Sequence, residues 1–154
     1  MENTVLFFHI FGVMLFISGI VVAGIAFEAA RRRQRAEEVA LLLGLGRAAV
    51  PLVGLGALLL LACGLWLVGL EEGLDYGTGW VSAAIAVFVV AMGLGGYGGQ
   101  RPKQARMLAS QLAERGEGVT AELRALLDDP VSRAANYASA GLILVILALM
   151  VFKP

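Results

Sequence analysis

His9 is the only histidine of the 154-residue chain, and it lies in the apolar run Thr4–Phe27, which carries no formal charge. The run is followed by Glu28 and then by four arginines: Arg31, Arg32, Arg33 and Arg35. An imidazole here can bond a neighbouring helix or water, ligate haem iron, or relay protons near neutral pH. Ionisable residues inside membrane spans are functional candidates by default. Any chemistry of this protein therefore starts from His9.

Other residues offer little chemistry. The lone cysteine, Cys63, excludes an intrachain disulfide and a cysteine metal cluster. With one histidine, a haem would need His9 alone, His9 with a methionine such as Met150, or a ligand from a second subunit. No paired-carboxylate site, zinc spacing or serine–histidine–aspartate set is recognisable. The sequence therefore nominates His9 and Met150 as haem ligands, with no other cofactor, and predicts no catalytic residue and no metal site.

The elements that must position His9 follow from composition. Hydrophobic residues make up 59% of the chain and charged residues 16%, whereas soluble domains have about a quarter charged. The charges fall in short blocks that leave four apolar runs, each near the roughly 20 residues that a helix needs to cross a bilayer. The sequence predicts one transmembrane domain over residues 1–154, with spans at about 4–27, 48–70, 80–99 and 134–152.

Basic residues set the expected orientation. Five of the 12 lie between the first two spans, six lie between the last two, and Lys153 is the twelfth. Basic residues are retained on the cytoplasmic side of a membrane. We therefore expect a multi-pass protein of the bacterial inner membrane, with residues 28–47 and 101–133 in the cytoplasm and both termini outside. A formal net charge of zero argues against a nucleic-acid partner.

The 101–133 connection is the longest polar stretch. Its leucines recur at helical spacing in two groups, and Thr120 is placed to cap the second group. Amphipathic segments of this kind lie on a membrane surface or pack under a bundle. The predicted fold class is all-α: an integral membrane, antiparallel four-helix bundle with short amphipathic helices in the cytoplasmic 101–133 connection.

Small residues recur at positions that favour close helix contact. Small residues three or four apart let a neighbouring helix backbone approach closely. The residues predicted to pack in this way are Gly12, Gly19 and Ala23 in the first span, Gly95 and Gly99 in the third, and Ala135 and Ser139 in the fourth.

Two stretches of the chain carry a resemblance. Phe8–Val13 (FHIFGV) and Ser18-Gly19, with Gly64-Leu65, Trp80 and the closing Val-Phe-Lys-Pro, resemble an uncharacterised family of small bacterial four-helix membrane proteins. More distantly, His9, Asn136 and Lys153-Pro154 are similar to the pattern of HemJ-type protoporphyrinogen oxidases; the histidine and the closing Lys-Pro also resemble CopD-like membrane domains. The HemJ likeness implies haem binding at His9, although Phe16 stands where that family has a tryptophan.

Two functions remain open. The first is a structural or accessory membrane protein without catalytic activity of its own, which packs through glycine-rich helix faces as a homo-oligomer or as a subunit of a larger membrane complex. Its partners would be the lipid bilayer and other membrane subunits or itself. The second is a haem-binding, HemJ-like redox protein that uses His9.

Overall fold

The computed structural model describes residues 2–70 and 75–153, and these residues form helices without any strand. In chain order the helices are α1 (Glu2–Arg31), α2 (Ala36–Leu70), α3 (Gly79–Gly98), α4 (Gln100–Glu114), α5 (Ala121–Leu127) and α6 (Pro130–Phe152). The predicted all-α class and the amphipathic helices of the 101–133 connection are confirmed.

Four helices are long and apolar enough to cross a membrane: α1, α2, α3 with its extension α4, and α6 with the preceding α5. The apolar stretches of these helices, called the spanning segments here, cover residues 3–27, 48–70, 79–98 and 134–152. The prediction of four helices that are long and apolar enough to cross a membrane is therefore confirmed. The arginine-rich end of the molecule holds the α1–α2 turn and the stretch from Gly99 to Arg133. The opposite, terminal end holds the start of α1 and the end of α6.

Two helices run well beyond the membrane at the arginine-rich end. Helix α2 has 35 residues, which at 1.5 Å each is about 52 Å, against a hydrocarbon core of about 30 Å. Its first turn holds Glu37 and Glu38, whose charges complement the positive end of the helix dipole. Gly99 separates α3 from α4 but keeps right-handed helical angles. Helix α4 therefore continues α3 and packs beside the start of α2.

The spanning helices pack as two tight pairs, α1 with α2 and α3 with α6. On α1, the contact residues follow alternating steps of three and four, which keeps one face of the helix on its partner. They are His9, Gly12, Phe16, Gly19, Ala23, Ala26 and Ala30. Between the pairs, larger side chains form the membrane core, in which the rings of Phe16 and Phe88 lie 5.9 Å apart.

A second core lies outside the membrane at the arginine-rich end. It joins the end of α1, the start of α2, α4 and α5, and Val39, Ala105, Leu123 and Leu127 in it are fully buried. Thr120 accepts a hydrogen bond from the amide of Leu123 and so caps α5 as predicted. The amphipathic helices therefore pack under the bundle.

Candidate functional site

His9 faces α2 and is half-buried. Its Nδ1 lies 2.8 Å from the carbonyl oxygen of Leu60. Because a carbonyl can only accept, Nδ1 carries the proton in this bond, and Nε2 of the neutral ring keeps a free lone pair. The ring fits because Gly64 has no side chain: a Cβ there would lie 3.0 Å from Cε1 of His9. The contact thus fixes both the position and the tautomer of the imidazole.

Met150, the other nominated haem ligand, packs on the membrane core cluster to which Leu60 belongs. His9 is hydrogen-bonded to the backbone carbonyl of Leu60, whereas Met150 makes apolar contacts with the cluster. Neither of the two main surface pockets includes His9 or Met150. Across residues 2–70 and 75–153, no group of three metal-ligating side chains is found. In the part of the chain that the structure describes, the arrangement supplies one nitrogen ligand, which lies outside both of these pockets.

The nominated small residues of α1 lie against α2. A Cβ on Gly12 would come within 2.7 Å of the Leu60 amide nitrogen, and one on Gly19 within 2.9 Å of the Val53 nitrogen. Ala23 lies near Gly46, at van der Waals distance from a Cβ built there. Gly56 of α2 is as closely packed, since its Cβ would meet Phe16 and the carbonyl of Gly12. The α1–α2 contact is therefore backbone to backbone.

Between α3 and α6, Gly95 and Ser139 are in contact: a Cβ on Gly95 would lie 3.1 Å from the Ser139 hydroxyl oxygen. That hydroxyl donates to the carbonyl of Ala91 at 2.8 Å. Ala135 is buried at the same helix pair. Gly99 has its nearest neighbours in the last turn of α3, at the carbonyls of Gly95 and Gly96.

Sequence reasoning missed that Gly98, next to Gly99, is the glycine that faces α6. Its carbonyl accepts hydrogen bonds from the Ser132 hydroxyl at 2.6 Å and the Asn136 amide at 3.1 Å. A Cβ on Gly98 would collide with the Asn136 side chain and lie 3.0 Å from the Ser132 carbonyl oxygen. The i, i+4, i+7 spacing of Ser132, Asn136 and Ser139 was the available signal for this polar face.

A charged network ties α1 to α5 and α6 at the arginine-rich end. Arg31 donates to Glu28 at 2.8 Å and, through Nε and Nη2, to Asp128 at 3.1 and 2.8 Å. Arg124 donates to the carbonyls of Arg31 and Arg33 at 2.6 and 2.8 Å, which satisfies acceptors left open where α1 ends. The two arginines therefore fix the end of α1 to the second core.

Glu28 lies just beyond the spanning segment of α1, and both of its oxygens are engaged. Tyr137 of α6 donates to Oε1 at 2.7 Å, and Arg31 donates to Oε2 at 2.8 Å. Burial alone would raise the pKa of Glu28, but the Tyr137 hydrogen bond and the charges of Arg31 and Arg133 outweigh it and hold the pKa below its usual value. The carboxylate is stabilised in its charged form.

The comparisons with known proteins agree with this architecture. A family model described as "Predicted integral membrane protein (DUF2269)" matches residues 3–154. No curated protein and no solved structure matches the chain, and a similarity to HemJ-type or CopD-like proteins is not found. The four spans and the match over nearly the full sequence agree with the resemblance to a family of small membrane proteins. The chain belongs to the DUF2269 family of predicted integral membrane proteins.

Proposed function

We propose that this protein is a structural or accessory subunit of the bacterial inner membrane, without catalytic activity of its own. One observation carries the proposal: polar side chains of the helix contacts donate to backbone carbonyls of the adjacent helix. These donors are His9, Ser132, Asn136 and Ser139. Hydrogen bonds of this kind hold membrane helices together. Polar groups committed to carbonyls are poorly placed to bind a substrate or line a solute path.

The face of α6 that points away from the bundle is the surface proposed for a partner helix. In the most apolar stretch of this span, 11% of the residues are buried, the lowest share of the four. A Cβ on Gly141 would meet nothing within 4 Å. Exposed small residues recur on this face, with Val145 between the last two: Ala134, Ala138, Gly141 and Ala148. Such a stripe suits close packing against a second copy or another membrane subunit.

The assembly is tested by measuring the mass of the protein extracted from its native membrane in mild detergent. We expect a species larger than one chain, from added copies or from a stoichiometric second subunit. Gly141→Leu should reduce it to a monomer because the leucine separates the helices. Gly24→Leu is the matched control, since Gly24 also faces open space, on α1. A monomer without a partner in the unmodified protein overturns the proposal, and so does an equal effect of the two variants.

We also propose that both termini face outward and that the arginine-rich end faces the cytoplasm. The support is the placement of 11 of the 12 basic residues, all but Lys153, at or next to that end. In a Cys63→Ala background, a membrane-impermeant maleimide applied to intact spheroplasts should label Asp75→Cys and not Glu117→Cys. The reverse pattern contradicts this orientation.

Haem binding at His9 is the second candidate, and the tautomer favours it. A ligating histidine usually donates its other ring N–H to a carbonyl or carboxylate, which orients the ring and fixes the free nitrogen. Nδ1 of His9 makes such a bond with Leu60. Bound haem would add redox chemistry, and the chain would contribute Nε2 of His9.

A visible spectrum of protein purified from haem-replete cells, oxidised and then reduced, tests this candidate. A haem band that is abolished by His9→Ala and shifted by Met150→Leu would support both nominated ligands. Haem content unchanged in His9→Ala would contradict it, as would a colourless unmodified protein. Because the colourless result concerns only the cofactor, it leaves the structural proposal to its own test.

A further inference from the structure

A groove of about 500 Å³ lies along α1 where its apolar stretch ends. It is lined by Ile25, Glu28, Ala29, Arg32 and Arg33, and it is open to the surroundings. Ile25, 66% exposed, and Ala29 give it an apolar floor, and Arg32 and Arg33 lie toward the arginine-rich end. The groove therefore spans the boundary between the hydrocarbon and headgroup layers of a membrane.

Arg133 of α6 adds a third cation near this groove, since it lies one helical turn before Tyr137, whose hydroxyl bonds Glu28. Its Nε is buried and has no hydrogen-bond acceptor in the described part of the chain. Its charge acts on the Glu28 carboxylate, which lines the groove. A buried guanidinium N–H without an acceptor is costly, so the position calls for an anionic group from outside the chain.

Glu28, the acidic residue that lines the groove, is already occupied. Glu28 uses one oxygen for Tyr137 and the other for Arg31. Arg33 makes a loose ion pair with Glu38 at 3.7 Å. The side chains of Arg32 and Arg133 form no hydrogen bond or ion pair with any residue in the ranges 2–70 and 75–153. Within the described residues, Arg32 and Arg133 thus have no hydrogen-bonded counter-ion at the headgroup level.

We propose that this groove binds one anionic phospholipid, with Arg32 and Arg133 on its phosphate-bearing headgroup and one acyl chain along Ile25 and Ala29. Arginine bonds phosphate oxygens through two N–H groups at once, and basic pockets at membrane helices select anionic headgroups. The apolar floor distinguishes a lipid from free phosphate, which would need only the arginines. The inference holds for either orientation and does not depend on a partner subunit.

Native mass spectrometry of the protein released from nanodiscs of mixed phosphatidylglycerol and phosphatidylcholine tests the site. We expect one retained phosphatidylglycerol per chain. Arg32→Gln with Arg133→Gln should weaken its retention by roughly 25-fold, about fivefold for each cation. The matched control is Lys103→Gln with Arg115→Gln, which removes the same charge from exposed side chains of the arginine-rich end. The control should retain the lipid.

Each other outcome overturns the proposal. Equal retention of the two lipids shows that the groove is not selective, and equal loss in the two double variants shows a diffuse charge effect. If the protein binds inorganic phosphate as tightly in lipid-free detergent, the ligand is free phosphate and not a lipid. Arg32→Gln alone serves as the test if the double variant misfolds, because Arg32 is exposed and its side chain bonds no described residue. Unchanged lipid retention in this single variant excludes Arg32 from the site.

Discussion

The hydroxyl of Ser132 on α6 donates a 2.6 Å hydrogen bond to the backbone carbonyl of Gly98 on α3. In a continuous helix this carbonyl would accept from the amide four residues later, but that residue is Pro102, which has no N–H. Asn136 adds a second donor at 3.1 Å. Side chains of α6 thus supply the bonds that proline removes where α3 passes into α4.

We predict that Ser132→Ala lowers the free energy of unfolding by about 0.6–1.7 kcal/mol, the range of single hydrogen bonds between membrane helices. The hydroxyl is buried, so water cannot replace it at the carbonyl. Ser82→Ala is the control, since that exposed hydroxyl bonds only Gly79 of its own helix. Titration with a denaturing detergent measures both variants, and an equal loss in the two would contradict this role of Ser132.

Two glycines on α2 should respond to the same substitution with opposite signs. A Cβ on Gly56 would meet the backbone of Phe16 and the carbonyl of Gly12, whereas one on Gly54 would meet nothing within 4 Å. Gly56→Ala must push α1 away from α2, and overpacking of this kind costs about 1–3 kcal/mol. Gly54→Ala should stabilise the helix by up to about 1 kcal/mol. Detergent-titration midpoints that fall for both variants would argue against the tight α1–α2 contact.

Much of the fold was predictable from the sequence, because a bilayer imposes length and apolarity on each spanning helix. The packing of individual residues was less predictable. Gly12 and Gly19 were predicted to pack because their spacing places small residues on one face of α1. At the end of α3 four glycines fall within residues 95–99, and only the rotation of the helix in the assembled pair decides that Gly98 and not Gly99 meets α6.

The second core was not foreseen for a similar reason. Apolar periodicity marks α4 and α5 as amphipathic, but it does not say which surface covers them. The covering surface is the part of α2 before the predicted span, where Val39 and Leu43 are buried. Helix α2 thus carries these apolar residues beyond the spanning segment, just after its acidic first turn.

Leu123→Ala should therefore be among the most damaging substitutions in the chain, although it lies outside the membrane. Leu123 is fully buried in the second core, and leucine truncation in a packed core costs about 2–5 kcal/mol. Met107→Ala, on the exposed side of α4, should cost far less. Hydrogen exchange would locate the damage: faster exchange in α4 and α5 of Leu123→Ala, with unchanged spans, is the expected pattern. Exchange that accelerates equally in the spans would show that the second core is not a separate packing unit.

The engagement of Glu28 with Tyr137 and Arg31 predicts a pH dependence of stability. Because the folded protein holds the pKa of Glu28 below the ordinary value of 4.5, the contribution of Glu28 to stability is present above that value and is lost as the pH falls through the folded pKa.

Glu28→Gln removes the charge at every pH. The variant should melt at a lower temperature than the unmodified protein at pH 7, and the difference should shrink as the pH is lowered from about 4.5 through the folded pKa of Glu28. Melting curves at matched detergent and salt measure the difference, and a gap that stays constant over this range would show that the charge of Glu28 does not stabilise the α1–α6 contact.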